Sequence, residues 1–122
     1  MSRFAFFVHH QGRGHAKRTA AIAKWLPAGS EITVMTADPS LFDGSNFDID
    51  IVALPDMIGA PPRSEALLKQ STPSVMHCVP LGVDEQRRTM ATIAETLNRV
   101  DPSLFIIDVS AEIALSSRIL SV

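Results

Sequence analysis

The chain has 122 residues, 46% of them apolar and 20% charged, which is enough to bury one core and too apolar for a disordered segment. Its formal net charge of −2 gives no electrostatic ground for nucleic acid or an anionic membrane as the main partner. Cys78 is the lone cysteine; it excludes an intrachain disulfide and a cysteine-built zinc site, fits a reducing cytoplasm, and reads most plainly as a buried, inert thiol.

Residues 3–9 are apolar on both faces, as in a buried parallel strand. The apolar run Phe4–Val8 is far shorter than the roughly 20 residues of a spanning helix, and no signal-peptide cleavage pattern follows it, so no transmembrane segment is expected. A helix is expected over 15–26, with Ile22, Trp25 and Leu26 facing the core, Lys17 and Lys24 in solvent, and Pro27-Ala28-Gly29 as its stop. Strands are expected over 31–36 and 50–54, on either side of a turn-rich stretch with Asp38-Pro39 and Asp43-Gly44. Pro55 closes the third strand.

From Pro55 to Gly82 the chain holds five of its eight prolines and no clear period, which predicts a long loop broken by a short helix over 64–70. A clear helical period returns over 84–99, with Met90, Ile93, Ala94 and Leu97 at i, i+3, i+4 and i+7 and with Asp84 and Glu85 in the first turn, where the helix dipole favours them. Arg87 and Arg88 beside those acids read as a solvated charged face. Asp101-Pro102 breaks the helix, residues 104–107 read as a fourth buried strand, and Ser110 is placed to cap a last helix over 111–120. That apolar helix runs to the last residues without a closing element, as in a piece of something longer.

Strands alternating with helices predict an α/β fold: a Rossmann-like parallel sheet with helices on both faces, here an incomplete domain. Such sheets take ligands beyond the carboxyl ends of their strands. Two polar interruptions fall there, residues 9–15 after the first strand and residues 108–110 after the fourth.

Gly12-Arg13-Gly14 could open a dinucleotide fingerprint, but the third glycine would fall at Lys17, and a phosphate-binding P-loop fails at the same place. Two glycines still let backbone approach a ligand, and free amides at the start of the next helix favour an anion or a hydroxyl. A tight strand-to-helix turn explains them equally well. His15 lies at the mouth of the loop. An imidazole keeps a large neutral fraction at pH 7, so it suits general-base work, and Asp108 at the end of a neighbouring strand is the candidate to fix its tautomer. A capping histidine and an aspartate bonded to loop amides form the alternative reading. His9 and His10, as adjacent strand residues, should point to opposite faces, and no ligand-spaced cluster accompanies them, so no metal site is expected. His77 reads as a locally bonded loop histidine.

The segment GRGHAKRTAAIAKWL after the first strand resembles the opening of GT-B glycosyltransferases, whose amino-terminal domains carry a strand, a G-x-G-H loop and a helix starting near that histidine. PSLFIIDVSAEIALSSRILSV is similar to a later strand-Asp-helix segment of the same families. The resemblance implies the acceptor-side domain of a two-domain enzyme, residues 1–122, with the nucleotide-sugar-binding domain absent and this part inactive alone. It implies sugar transfer from a nucleotide-sugar donor to an acceptor hydroxyl, with His15 as base and Asp108 as its support. Gly12, Arg13 and Gly14 would contact the acceptor or an anionic group on it. No cofactor beyond the donor substrate is implied, nor metal or nucleic acid. The location implied is cytoplasmic, with lipid-linked acceptors and a peripheral membrane position both compatible, in a bacterial type of enzyme. Arg18 stands where many plant-type members have proline, and the lipid-diphosphate enzymes have more glycines in the loop than this chain does. The rival class is a non-catalytic Rossmann-like nucleotide-binding or regulatory module in which Asp38 would hold a ribose. An unpaired sheet edge would also allow pairing with a second copy.

Overall fold

The computed structural model describes residues 1–56, 84–108 and 110–122. The expected loop and short helix between Pro55 and Gly82, with His77 and Cys78, lie outside the described residues except at Pro55 and Asp56. Four strands, β1 (Arg3–Val8), β2 (Glu31–Thr36), β3 (Asp50–Ala53) and β4 (Leu104–Ile107), form one sheet in the order β3-β2-β1-β4. Every pairing is parallel. Three α-helices, α1 (Gly14–Ala23), α2 (Asp84–Val100) and α3 (Ala111–Ile119), and a short 3-10 helix at Pro39–Phe42 accompany it among the described residues. This is the Rossmann-like α/β arrangement that the alternation of strand and helix signals implies.

Alternation along β1 divides the core in two. Ala5 and Phe7 point to one face and pack with Met35, Leu54, Ile93, Leu97 and Ile113, so α2 and α3 cover that side. Phe6 and Val8 point to the other and pack with Ala16, Ile32, Val34 and Phe42, under α1 and the 3-10 helix. A strand apolar on both faces fits between two layers, and β1 packs on both. Burying a phenylalanine such as Phe6, 1% exposed, contributes about 1.5–3 kcal/mol.

Helix α1 differs from the expectation. It ends at Ala23, after which the Trp25 and Leu26 amides bond back to the Ile22 and Ala23 carbonyls at 2.9 and 3.3 Å, a tightened last turn. The side facing the sheet carries buried Ala16 and Thr19, continued by the partly buried Ala23 and Leu26. Trp25 is 89% exposed and Ile22 stands at the surface. Leu26 faces the core as expected and the other two do not, because residues 16, 19, 23 and 26, at 3-4-3 spacing, form the one stripe that faces the sheet.

In α2 the expected stripe is present: Ile93 and Leu97 are buried and Met90 packs against them. The Arg87–Asp84 and Arg88–Glu85 pairs, at 3.1 and 3.9 Å, lie along its exposed side. Ser110 occupies the position before α3 with extended backbone, but its hydroxyl donates to Glu112 Oε1 and caps no backbone amide. Ser110 serves the helix through its carbonyl, which receives the Ala114 amide at 3.0 Å.

The two aromatic residues have opposite weight. Phe6→Ala should lower stability by about 3–5 kcal/mol, and Trp25→Ala should stay within about 0.5 kcal/mol of the parent, both read from urea unfolding midpoints.

Candidate functional site

Strand order and chain order disagree at one place. From β1 the chain moves outward to β2 and β3, and β4 then returns to the opposite side of β1. At such a reversal the segments leaving the two adjacent strands diverge, and a crevice opens beyond their carboxyl ends. Residues 9–15 leave β1 there, and Asp108 leaves β4 directly beside them. Pairing of Phe7 with Ile107 is the last step of the shared register, so both segments depart at the same height.

The loop after β1 is built for a sharp change of direction. Gly12 has φ +76°, a left-handed conformation that favours glycine. Arg13 precedes α1 and offers it no side-chain cap, and the helix opens with the Lys17 amide bonded to the Arg13 carbonyl at 3.0 Å. A Cβ on Gly12 or on Gly14 would meet no atom within 4 Å, so the loop backbone is open on those sides. The first turn of α1 holds no acidic residue, while Arg13, His15, Lys17 and Arg18 crowd the end that the helix dipole already makes positive.

Asp108 supplies the missing negative charge. His15 Nδ1 lies 2.8 Å from Asp108 Oδ2, with the two side chains 23% and 21% exposed. Arg18 donates a guanidinium N–H to the same oxygen. The hydrogen bond from His15 and the Arg18 charge together hold the Asp108 carboxyl below the usual carboxylate range, against the opposing effect of its partial burial. Ionised Asp108 can only accept, so the proton of a neutral His15 resides on Nδ1, and the lone pair of Nε2 is the basic position left over.

His9 and His10 depart from the expectation of opposite faces. Their rings stack with centroids 5.4 Å apart and planes at 12°, because β1 ends at Val8 and the two-residue alternation of a strand stops with it. Gln11 donates its amide to His9 Nδ1 at 3.2 Å, and the His9 ring lies 5.7 Å from that of His15, tilted by 54°. His10 Nε2 reaches Asp56 Oδ1 at 3.1 Å. Among the described residues no three His, Cys, Asp or Glu side chains converge in a way that could hold a metal, and no helix is long and apolar enough to cross a membrane.

Asp38, the candidate ribose acceptor, turns inward on its own segment. Its Oδ1 accepts from the Ser40 amide at 3.1 Å and the Ser40 hydroxyl at 2.6 Å, which starts the 3-10 helix. A concavity of about 820 Å³ opens at the amino ends of the strands around Arg3, Glu31, Asp50 and Arg99. That is the wrong end of a parallel sheet for a ligand, and Arg3 and Arg99 are already paired there with Asp101 and Asp50. A smaller one of about 190 Å³ separates Arg13, Ala16, Lys17 and Ala20 of the α1 side from Phe42 and Asp43.

Reasoning from the sequence missed the contacts of Arg18 with Asp108 and of His10 with Asp56. The first had a usable signal, since Arg18 is three residues from His15 and shares its side of a helix. No family model matches the chain, and neither a curated protein nor a solved structure matches it.

The lowered titration of Asp108 has a definite sign. Its charge contributes stability above the ordinary carboxylate range, and that contribution is lost as pH falls through the lower folded-state value. The stability gap between the parent and Asp108→Asn should therefore be widest near neutrality and close below about pH 4. Thermal unfolding at a series of pH values checks this; a gap independent of pH would contradict it.

Proposed function

We propose that the chain forms the acceptor side of a glycosyltransferase that moves a sugar from a nucleotide-sugar donor to an acceptor hydroxyl, lipid-linked acceptors included. The observation that carries this reading is the 2.8 Å contact of His15 Nδ1 with Asp108 Oδ2 at the carboxyl ends of adjacent β1 and β4. His15 Nε2 takes the proton of the acceptor hydroxyl as its oxygen attacks the anomeric carbon. The bond from that carbon to the nucleoside diphosphate breaks with both electrons on the leaving oxygen. Asp108 holds the ring in the required tautomer and stabilises the imidazolium as it forms. Gly12, Arg13 and Gly14 present open backbone and a cation to an anionic part of the acceptor.

The rival reading, a nucleotide-binding module, lacks the third glycine of the dinucleotide fingerprint, where Lys17 stands, although Asp38 keeps Oδ2 beside the Oδ1 that Ser40 occupies. The missing glycine supports the transferase reading over the module.

The test is nucleotide-sugar turnover by a chain in which residues 1–122 are followed by a donor-binding domain. Replacing His15 by Ala should lower kcat by about 10²–10⁴-fold, with Asp108→Asn also impaired. Unchanged turnover in His15→Ala would remove the base assignment. Tight NAD binding by residues 1–122 with no sugar transfer by the longer chain would favour the module.

A further inference from the structure

Asp108 Oδ2 is met by two donors from the same side of α1, the His15 ring and the Arg18 guanidinium. Arg18 is 59% exposed, and an ion pair that open to water adds little to stability on its own. Its effect on geometry is a separate matter. The terminal torsion of an aspartate is broad and roughly two-fold, so with the His15 contact alone the carboxylate is free to rock, exchange oxygens and let the imidazole turn. A second donor on the same oxygen, from a planar fork anchored one helical turn further along, removes that freedom.

The same contact has an electrostatic cost. A cation beside Asp108 shares the charge that would otherwise stabilise an imidazolium at His15. A mere competitor for Asp108 and a residue that aligns it therefore predict opposite consequences when Arg18 is removed.

We propose that Arg18 is a positioning residue of this site, completing a guanidinium–carboxylate–imidazole chain that keeps Asp108 Oδ2 on His15 Nδ1 and leaves His15 Nε2 as the open basic atom. The assignment of a use to Nε2 rests on the transferase reading above; the positioning itself does not. The rest of the surroundings fit. His9 packs beside the His15 ring, with its own Nδ1 accepting the Gln11 amide, so on that side the ring meets a neighbour whose Nδ1 is already engaged.

Imidazole ¹⁵N NMR on the 122-residue chain separates the possibilities without any assay of sugar transfer. In the parent, His15 should show the tautomer with hydrogen on Nδ1. In Arg18→Gln the ratio of that tautomer to the other should fall roughly threefold, the scale on which a partly exposed ion pair acts. Arg18→Lys should recover part of it, because a single charged donor remains. Asp108→Asn provides the full loss for comparison, and the Asp108 carboxyl resonance in Arg18→Gln should titrate higher than in the parent. A parent-like tautomer ratio in Arg18→Gln overturns the proposal, whether or not the Asp108 titration moves, since a moved titration alone makes Arg18 a counter-ion only. In the longer chain, aligning predicts a fall in kcat for Arg18→Gln and mere competition predicts a rise. Failure of that chain to transfer sugar, with the tautomer shift intact, would remove the transferase reading and leave the positioning role standing.

Discussion

The parallel pairing of β1 with β4 is the constraint on which the site depends. Residues separated by 93 positions in the chain, His15 and Asp108, meet only because Phe7 pairs with Ile107 and both strands then release their chains at one height. The side-chain period of a strand is two residues, so a slip of one position would turn Asp108 to the other face of the sheet. Apolar residues enforce the register. Phe6 and Val8 on one side of β1 and Ala5 and Phe7 on the other belong to two separate core clusters, and a slip would exchange both sets at once. Core packing and site geometry are therefore one requirement on this sequence.

The second constraint is charge. A helix start is already positive, and α1 places His15, Lys17 and Arg18 close to it with no acid in its own first turn. Within α1 that arrangement is unfavourable. Asp108, arriving from β4, resolves it from outside the helix, and in doing so it becomes a carboxylate held ionised beside an imidazole. Electrostatic strain within one element is relieved by a residue of another, and the relief produces a hydrogen-bonded pair of the kind that proton transfer uses.

Much of the fold was legible in the residues. Strands with apolar residues on both faces, the period of α2, and the breaks at Pro27 and Pro102 lead to a parallel α/β sheet without knowledge of any contact. The orientation of α1 was not legible in the same way. Ile22 and Trp25 are larger and more apolar than Ala16, Thr19 and Ala23, yet the smaller residues, joined by Leu26, face the sheet, because the helical period and not the apolarity of single residues decides which stripe is buried. His9 and His10 were misplaced for another reason: strand alternation was extended two residues past Val8, where the strand ends. The pairing of His15 with Asp108 could be nominated from the carboxyl-end rule but not located, since no local pattern encodes the order of strands in a sheet. Arg18 carried the helical spacing that pointed to it and was still passed over, because its partner lies on another element.

The contact between His15 and Asp108 is the claim from which the rest follows, and a double-mutant cycle tests it most directly. Unfolding free energies at pH 7 of the parent, His15→Ala, Asp108→Ala and the double variant yield the coupling between the two side chains. Side chains in direct contact should show a coupling of about 0.5 kcal/mol or more. Additivity within about 0.3 kcal/mol would mean that the two residues do not act on each other, and the dyad would be contradicted at its base.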